Sequence, residues 1–130
     1  MHKTQKEQAE LLKEMSGVNT SKCMKCGKCS ASCPAYDEMD IRPHQFVSYV
    51  HNGDVQALLD SKSIWKCLSC FACVERCPRD VKPAMLIEAV RQMVVREKDG
   101  NYLSPDEIPA LLDEELPQQL LASAFRKYRK

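Results

Sequence analysis

Apolar residues recur at intervals of three and four along most of the chain, which is the spacing of one face of an α-helix. Proline, glycine and capping residues mark where these runs start and stop. The pattern predicts five helices, which run over residues 5–15, 43–51, 54–59, 83–100 and 117–125. No stretch of four or more residues alternates apolar and polar side chains with β-branched enrichment, so the predicted fold is all-α.

The strongest of these predicted helices begins at Pro83, a residue suited to a first turn. Its apolar stripe consists of Leu86, Val90, Met93 and Val94, with Met85 and Ala89 widening the face. Among the shorter helices, the one over residues 54–59 is expected to begin with Asp54 as its cap.

The ends of the chain differ from its middle in composition. We predict a polar N-terminal arm over residues 1–20, a central domain over 21–100 and a C-terminal arm over 101–130. The last helix of the C-terminal arm leads into a basic run from Arg126 to Lys130, and an acidic run from Asp113 to Glu115 lies upstream. Two interpretations of this arm stay open: a solvated helix end whose cations complement the helix dipole, or a docking arm for a larger partner.

Composition and charge disfavour several classes of function. The 130 residues include 19 basic and 18 acidic side chains, and a net charge of +1 gives no general attraction to nucleic acid or membrane surfaces. Outside the cysteine motifs, the longest unbroken apolar run, Ala84 to Ile87, is far shorter than the ~20 residues that span a membrane. No secretory signal is visible, so we expect a cytoplasmic chain without direct membrane insertion and without a nucleic-acid partner.

Eight cysteines carry the chemistry, and they form a repeat with an offset of 44 residues. Each half reads C-x2-C-x2-C-x3-C-P, the spacing of proteins that bind two [4Fe–4S] clusters. In that pattern the first three cysteines of a motif bind one cluster and the fourth binds the other. The predicted ligands of cluster 1 are Cys23, Cys26, Cys29 and Cys77, and those of cluster 2 are Cys67, Cys70, Cys73 and Cys33.

Other uses of these cysteines fit the spacing less well. Structural zinc sites are built from paired elements and leave no role for a third evenly spaced cysteine. Disulfides are rare in the cytosol. With all eight cysteines assigned to clusters, no thiol is left for nucleophilic attack, and no catalytic triad or nucleotide-binding glycine motif accompanies them. The chain is therefore predicted to conduct electrons and to have no catalytic residues of its own.

The residues around the motifs would tune the clusters through charge, hydrogen bonds and exposure to water. Lys22, Lys25 and Lys28 are interleaved with the first three cysteines. They are either solvated side chains that balance an anionic cluster, or a positive collar that raises the potential of the first cluster or docks an acidic partner. Elsewhere, His44 is expected on the surface, and Trp65 is expected to have a packing role in preference to an electron-transfer role.

Two equivalent positions of the repeat hold different residues. Gly27 is expected to allow a close approach of the backbone to the first cluster. Phe71 stands at the same place in the second motif and is expected to shield its cluster from water.

The segments CMKCGKCSASCPAY and IWKCLSCFACVERCPRDVKP, joined by a helical spacer, resemble the α-helical ferredoxin family. More narrowly, they resemble the C subunit of heterodisulfide reductase (HdrC) and its bacterial relatives, over roughly residues 20–98. This resemblance implies an all-α ferredoxin fold with two [4Fe–4S] clusters in a pseudo-two-fold arrangement, plus helical N- and C-terminal arms.

The resemblance also implies a role and partners. In anaerobic metabolism, the family's HdrC component relays electrons from an HdrA component, which carries flavin and clusters, to an HdrB component that reduces a disulfide. The paired-cysteine CCG motifs of HdrB do not occur in this sequence, nor does the C-x4-C-x2-C motif of succinate dehydrogenase and fumarate reductase. The alternatives are a freely diffusing dicluster carrier, the iron–sulfur component of another anaerobic dehydrogenase or reductase, or a non-redox module that senses oxygen or iron or only supports the structure.

Overall fold

The computed structural model describes residues 4–96 and 104–128. Every regular element within these ranges is a helix, which confirms the all-α prediction. The chain divides into two compact units, Met1–Val94 and Val95–Lys130. None of the helices in the described ranges is both long and apolar enough to cross a membrane.

The helices of the first unit are short, apart from three. In chain order they are α1 Gln5–Ser16, α2 Lys28–Ala31, α3 Pro43–Asn52, α4 Gln56–Leu59, α5 Ser63–Lys66, α6 Ala72–Arg76 and α7 Pro83–Val95, the last of which ends at the unit boundary. Two 3₁₀ helices, Thr20–Lys22 and Tyr36–Glu38, precede α2 and α3. The second unit contains a 3₁₀ helix Pro105–Glu107, then α8 Ile108–Leu111 and α9 Gln118–Tyr128.

One apolar core holds the first unit together, and α1 belongs to it. Leu12 of α1, Phe46 and Val50 of α3 and Leu86 of α7 are all completely buried in this core. Burying one such side chain stabilises the fold by about 1.5–3 kcal/mol. The helix within the predicted N-terminal arm therefore shares a core with the segment that carries the cysteines.

Local signals in the sequence fix the ends of α1 and α3. The Thr4 hydroxyl accepts a hydrogen bond from the backbone N–H of Glu7, and the Thr4 N–H donates to the Glu7 carboxylate, which together cap α1. Gly17 and Gly53 follow the two helices in left-handed backbone, with φ of 67° and 83°. The observed ends of both helices lie within one residue of the predicted ends.

Two details of the predicted helices are wrong. Asp54 does not cap α4, whose N-cap is Val55; its backbone N–H instead donates to the Tyr49 carbonyl at the end of α3. Met85 does not widen the buried face of α7, since its side chain is 37% exposed, whereas Ile87 is completely buried.

The ends of the last two long helices also differ from prediction. Helix α7 ends at Val95, and the predicted continuation over 97–100 lies outside the described residues. Helix α9 begins at Gln118 and continues past the predicted end at Phe125 to Tyr128. The last two residues of the basic run lie outside the described residues, and the docking arm stays a prediction.

Asp40 ties the segment before α3 to the segment before the second motif. Its Oδ1 accepts hydrogen bonds from the Ser61 hydroxyl at 2.8 Å, from the Ser63 backbone N–H at 3.0 Å and from the Ser63 hydroxyl. The Ile41 N–H donates to the Ser63 hydroxyl oxygen at 2.9 Å. These bonds, led by the one from the Ser63 side chain, lower the pKa of Asp40 from 3.8 to about 2.

We expect Asp40→Asn to lower the free energy of unfolding by about 1 kcal/mol at pH 7, because a neutral amide accepts these bonds less strongly than a carboxylate and solvent around the exposed Asp40 screens part of the difference. The pKa of Asp40 is depressed in the folded protein, so its contribution is present above about pH 4 and is lost as the pH falls towards about 2. Anaerobic guanidinium unfolding of the iron-loaded protein at pH 7 measures the change.

The matched control is Asp37→Asn in the neighbouring 3₁₀ helix, where the side chain is exposed. This substitution should change the free energy of unfolding by less than about 0.5 kcal/mol. Equal losses in the two variants would contradict a special role for Asp40.

Candidate metal centres

The two cysteine motifs follow the same backbone path. The residue directly before the second cysteine is left-handed in both, with φ of 57° at Lys25 and 54° at Ser69. The residue directly after the second cysteine is also left-handed, with φ of 76° at Gly27 and 62° at Phe71. A short helix, α2 or α6, then carries the third cysteine of each motif. In each motif, the left-handed residues on either side of the second cysteine make the backbone turn at that cysteine.

This backbone path is strained at its non-glycine positions. A side chain in the left-handed region costs about 1–2 kcal/mol per residue, and such strain persists where the surrounding structure or its function requires it. Gly27 avoids the cost and Phe71 does not. The positive φ is the visible reason for glycine at position 27, whereas the sequence alone suggested only a close approach.

The structure gathers the eight cysteines around two cavities. The first cavity is lined by Cys23, Cys26, Cys29 and Cys77, and the second by Cys67, Cys70, Cys73 and Cys33. Their volumes, including the open mouths, are similar at about 350 and 340 Å³. Each cavity thus takes three cysteines from one motif and the fourth from the other, which is the grouping that the motif spacing assigned to two clusters. That these thiols ligate iron stays a prediction.

The thiol pKa values show the same grouping. Burial raises the pKa of Cys29, and the neighbouring charges of Cys23 and Cys77 raise it further. Burial also raises the pKa of Cys33, with a further rise from Cys67 and Cys70 of the other motif.

The same effect is largest at Cys73, where burial raises the pKa to about 11. A thiol with a raised pKa is a poor nucleophile at neutral pH. Coordination to iron supplies the positive charge that would hold such a thiol as a thiolate.

Backbone N–H groups point at the sulfur atoms in both cavities. In the first cavity the Lys25 N–H donates to Cys23 Sγ and the Val81 N–H donates to Cys77 Sγ, both at 3.4 Å. In the second, backbone hydrogen bonds from Ala35 and Ala84 act on Cys33 and Cys73, respectively. Such bonds stabilise electron-rich sulfur ligands.

A shared wall separates the two cavities. Cys29 and Cys73, each only 8% exposed, pack with Ala84 in a small buried cluster, and Val74 covers it. The first turns of α3 and α7 lie here as well, since Pro43 and Ala84 line the second cavity while their neighbours His44 and Pro83 line the first. The positive ends of both helix dipoles therefore lie close to both cavities, where they favour an anionic group.

The two linings differ in polarity. Lys25, His44 and Arg79 line the first cavity. Apart from its cysteines, the second cavity is lined only by uncharged residues, among them Met39, Phe71 and Ile87. The cysteine pattern is symmetric, whereas its surroundings are not.

His44 is not the surface residue that the sequence suggested. Its ring is half-buried, and Nδ1 lies 2.6 Å from the Ser30 hydroxyl, which also accepts a bond from the His44 N–H at 3.2 Å. Ser30 in turn hydrogen-bonds to Cys29. The only signal in the sequence was the position of His44 in the first turn of a helix that follows the motif, which is too weak to identify a cavity residue.

Trp65 is not the well-packed residue that the sequence suggested. Its side chain is 57% exposed, and the nearby Leu68 and Phe71 are 69% and 46% exposed. Leu68 and Phe71 line the second cavity, so apolar side chains surround that opening, although Phe71 remains partly open to water.

The donor set fits two iron–sulfur clusters. All eight cysteines are free thiols, and each cavity presents four of them among apolar walls and N–H donors. Four thiolates are the usual ligands of a [4Fe–4S] cluster. In residues 4–96 and 104–128, no three histidine, cysteine or acidic residues form a group that could hold a single metal ion.

Comparison with known sequence families identifies the cysteine-bearing segment. Residues 19–81 match the family described as the 4Fe-4S dicluster domain. This segment is a 4Fe-4S dicluster domain. Its cofactors are accordingly two [4Fe–4S] clusters, as the cysteine spacing predicted.

Curated relatives confirm the resemblance to the C subunit of heterodisulfide reductase. The chain is 39% identical over 80 residues to the C subunit of the ferredoxin:CoB-CoM heterodisulfide reductase of Methanosarcina acetivorans, covering 62% of this chain and 32% of the relative. It is 34% identical over 99 residues to the C2 subunit of the H(2)/formate:CoB-CoM heterodisulfide,ferredoxin reductase of Methanococcus maripaludis, covering 76% and 51%. An Archaeoglobus profundus protein, named as resembling the C subunit of heterodisulfide reductase, is 32% identical over 94 residues, covering 72% and 50%.

The matched region is only part of each relative. This chain spans about a third of the Methanosarcina protein and about half of the other two. The similarity thus concerns the cluster-binding region and points to electron transfer.

The crossed grouping of cysteines makes a sharp prediction. Cys33 lies in the first motif but lines the second cavity, so Cys33→Ser should damage the same cluster as Cys70→Ser. The iron content should fall from about eight to about four per chain, and the remaining EPR signal should match that of Cys70→Ser.

The matched control is Cys26→Ser, at the position of the first motif that corresponds to Cys70 and is equally exposed. Its remaining signal should match that of Cys77→Ser. If Cys33→Ser instead resembled Cys26→Ser, the crossed assignment would be refuted.

Proposed function

We propose that this chain is the electron-relay component of a heterodisulfide-reductase-like complex. Electrons would pass through its two [4Fe–4S] clusters between a protein that bears flavin and clusters and a catalytic protein that reduces a disulfide. The chain itself would carry out no chemistry on a substrate, so it would act as a non-catalytic component of an oxidoreductase.

The observation that carries this proposal is the shared wall between the two cavities. Cys29 and Cys73 belong to different four-cysteine sets and pack in one buried cluster. Cofactors held by these two sets would be close neighbours inside the protein. Each set also has one exposed cysteine, Cys26 or Cys70, so each cofactor would also lie near the surface. Two adjacent redox centres with separate openings suit a relay between two partners.

The ligand assignment is part of the proposal. Cys23, Cys26, Cys29 and Cys77 would hold cluster 1, and Cys67, Cys70, Cys73 and Cys33 would hold cluster 2. The clusters supply reversible one-electron chemistry when bound. The protein's own residues orient the thiols, donate N–H groups to sulfur and exclude water from the wall between the sets.

The partners are proposed from the names of the relatives. Several relatives are named as the C subunit of a heterodisulfide reductase, and such a name implies a complex of several proteins. An HdrA-like flavin protein and an HdrB-like protein are the proposed neighbours.

We also propose a cytoplasmic location for the chain. Within the chain, we propose a cluster domain over residues 21–100 and a docking role for residues 101–130.

Anaerobic purification of the tagged chain from its native cells tests the relay role. We expect about eight irons per chain and co-purification of one flavin-containing protein and one cysteine-rich protein. The EPR signals should appear on reduction and disappear on reoxidation. A variant truncated after Arg96 should keep its iron but lose the partners if the C-terminal arm docks them.

The outcomes separate the alternatives. A chain that carries eight irons but elutes alone would favour a freely diffusing carrier. A cluster-loaded complex without flavin would favour a component of a different dehydrogenase or reductase. Clusters that cannot be reduced reversibly would refute an electron-transfer role of either kind.

A further inference from the structure

The pseudo-symmetry of the two motifs provides an internal comparison between the cavities. Equivalent cysteines have the same burial class in both sets, and the left-handed residues on either side of the second cysteine coincide in the two motifs. The cavities also have almost the same volume. Ligand type, cysteine burial and cavity volume are therefore matched, and the neighbouring charges and hydrogen bonds are the clearest difference between the two sites.

Cations without a carboxylate partner lie at the first cavity. Lys25 and Arg79 line it, and neither forms an ion pair with any residue in the described part of the chain. Lys22 and Lys28 flank the same stretch of the motif and are exposed. Lys82, also close in sequence, is balanced by Asp80 at 4.0 Å.

Two of the cations near the second cavity are neutralised, whereas a third, Arg42, has no ion pair in the described part of the chain but stacks on the Tyr36 ring at 4.1 Å and does not line the cavity. Lys66 precedes Cys67 and pairs with Glu38 at 3.4 Å. The Arg91 guanidinium donates to the Cys67 carbonyl at 3.0 Å, but its Nε lies 3.7 Å from a Glu88 carboxylate oxygen. No charged side chain lines this cavity.

Hydrogen bonding adds to the same difference. At the first cavity, Cys23 and Cys77 accept from backbone N–H groups, and Cys29 interacts with both the backbone and the hydroxyl of Ser30. At the second, the backbone bonds to sulfur act on Cys33 and Cys73. Donors to sulfur stabilise the more negative, reduced state of a cluster.

We infer that the cluster in the first cavity has the higher reduction potential, and that Lys25 and Arg79 are the residues that raise it. Reduction adds one electron to an already anionic cluster, and a nearby uncompensated cation stabilises that added charge. An electron shared between the clusters therefore resides mainly in the first cavity, and transfer from the second set to the first is downhill. This inference rests on the proposed function, because it takes both cavities as cluster sites.

The repeat offers reciprocal variants for the test. Lys25→Ser gives the first motif the residue that the second has at the equivalent position, and Ser69→Lys does the reverse. Both positions are left-handed, and lysine already occupies one of them, so the backbone accepts the exchange. Arg79→Gln removes the second cation. Lys6→Gln, on α1 and in neither cavity lining, controls for the loss of one positive charge.

The measurement is an EPR-monitored redox titration of the anaerobically purified holoprotein at fixed ionic strength. We expect two midpoint potentials in the wild-type protein. Lys25→Ser and Arg79→Gln should each lower the higher midpoint more than the lower one, whereas Ser69→Lys should raise the lower midpoint. When Lys25→Ser and Arg79→Gln are combined, the equilibrium constant for reduction of the cluster in the first cavity should fall about tenfold, which lowers its midpoint potential by about 59 mV for one electron.

Three results would overturn the inference. The first is a single midpoint potential in the wild-type protein. The second is a Lys25→Ser variant in which the lower midpoint potential falls instead of the higher one. The third is a change of midpoint potential in Lys25→Ser and Arg79→Gln that is no larger than the change in Lys6→Gln. If Ser69→Lys fails to bind iron, the two variants at the first cavity decide the outcome. Fewer than about eight irons in the wild-type protein would refute the proposed ligation instead, so the two failures are distinguishable.

Discussion

The exchange of the fourth cysteine between the two motifs is the constraint on which the rest of the first unit depends. Cys33 must reach the cavity of the second motif, and Cys77 must reach that of the first. Both requirements can be met only if the segment from Pro34 to Lys66 folds back and brings the motifs together. Helices α3, α4 and α5 make this return, and the buried residues Phe46, Leu58 and Ile64 fix its shape. The apolar core and the cysteine cavities thus specify the same chain path.

The polar contacts of the spacer serve the same purpose. Asp40 lies between the first motif and α3, and its partners Ser61 and Ser63 lie just before the second motif. These hydrogen bonds join the two ends of the return segment close to the cavities. Ser63 is completely buried, so leaving its polar groups unpaired would cost about 1–3 kcal/mol. The network therefore favours one fixed position of the first motif relative to the second.

The sequence predicted the elements whose signals are local. Helix ends at Gly17, Pro43 and Gly53 are marked by the residues themselves, and the cysteine spacing grouped the thiols as the structure does. The errors concern residues whose environment is set by distant parts of the chain. Asp54 belongs to the end of α3, where its N–H donates to the Tyr49 carbonyl, and His44 becomes a cavity residue only because α3 packs against the first motif.

The exposure of Trp65 has a related explanation. Helix α5 spans only Ser63–Lys66, and its interior face is filled by Ser63 and Ile64. A residue that follows directly after these two must face outward, whatever its hydrophobicity. A large apolar residue is commonly buried, but that tendency cannot reveal which face of a single helical turn meets the core. The Asp40–Ser63 bonds were equally hidden, because they join residues 23 positions apart that share no pattern.

The symmetry of the ligands also limits what a cysteine motif can specify. Two identical sets of thiolates on matching backbones would give two equivalent cofactors, with no preferred direction for an electron between them. Direction has to come from groups other than the cysteine ligands, such as Lys25 and Arg79 at one cavity and the uncharged lining at the other. These groups can change without loss of any ligand, because they occupy non-cysteine positions of the repeat. A dicluster fold of this kind can therefore keep its ligands and its helical frame while the order of its potentials is set by the residues between and beside the cysteines.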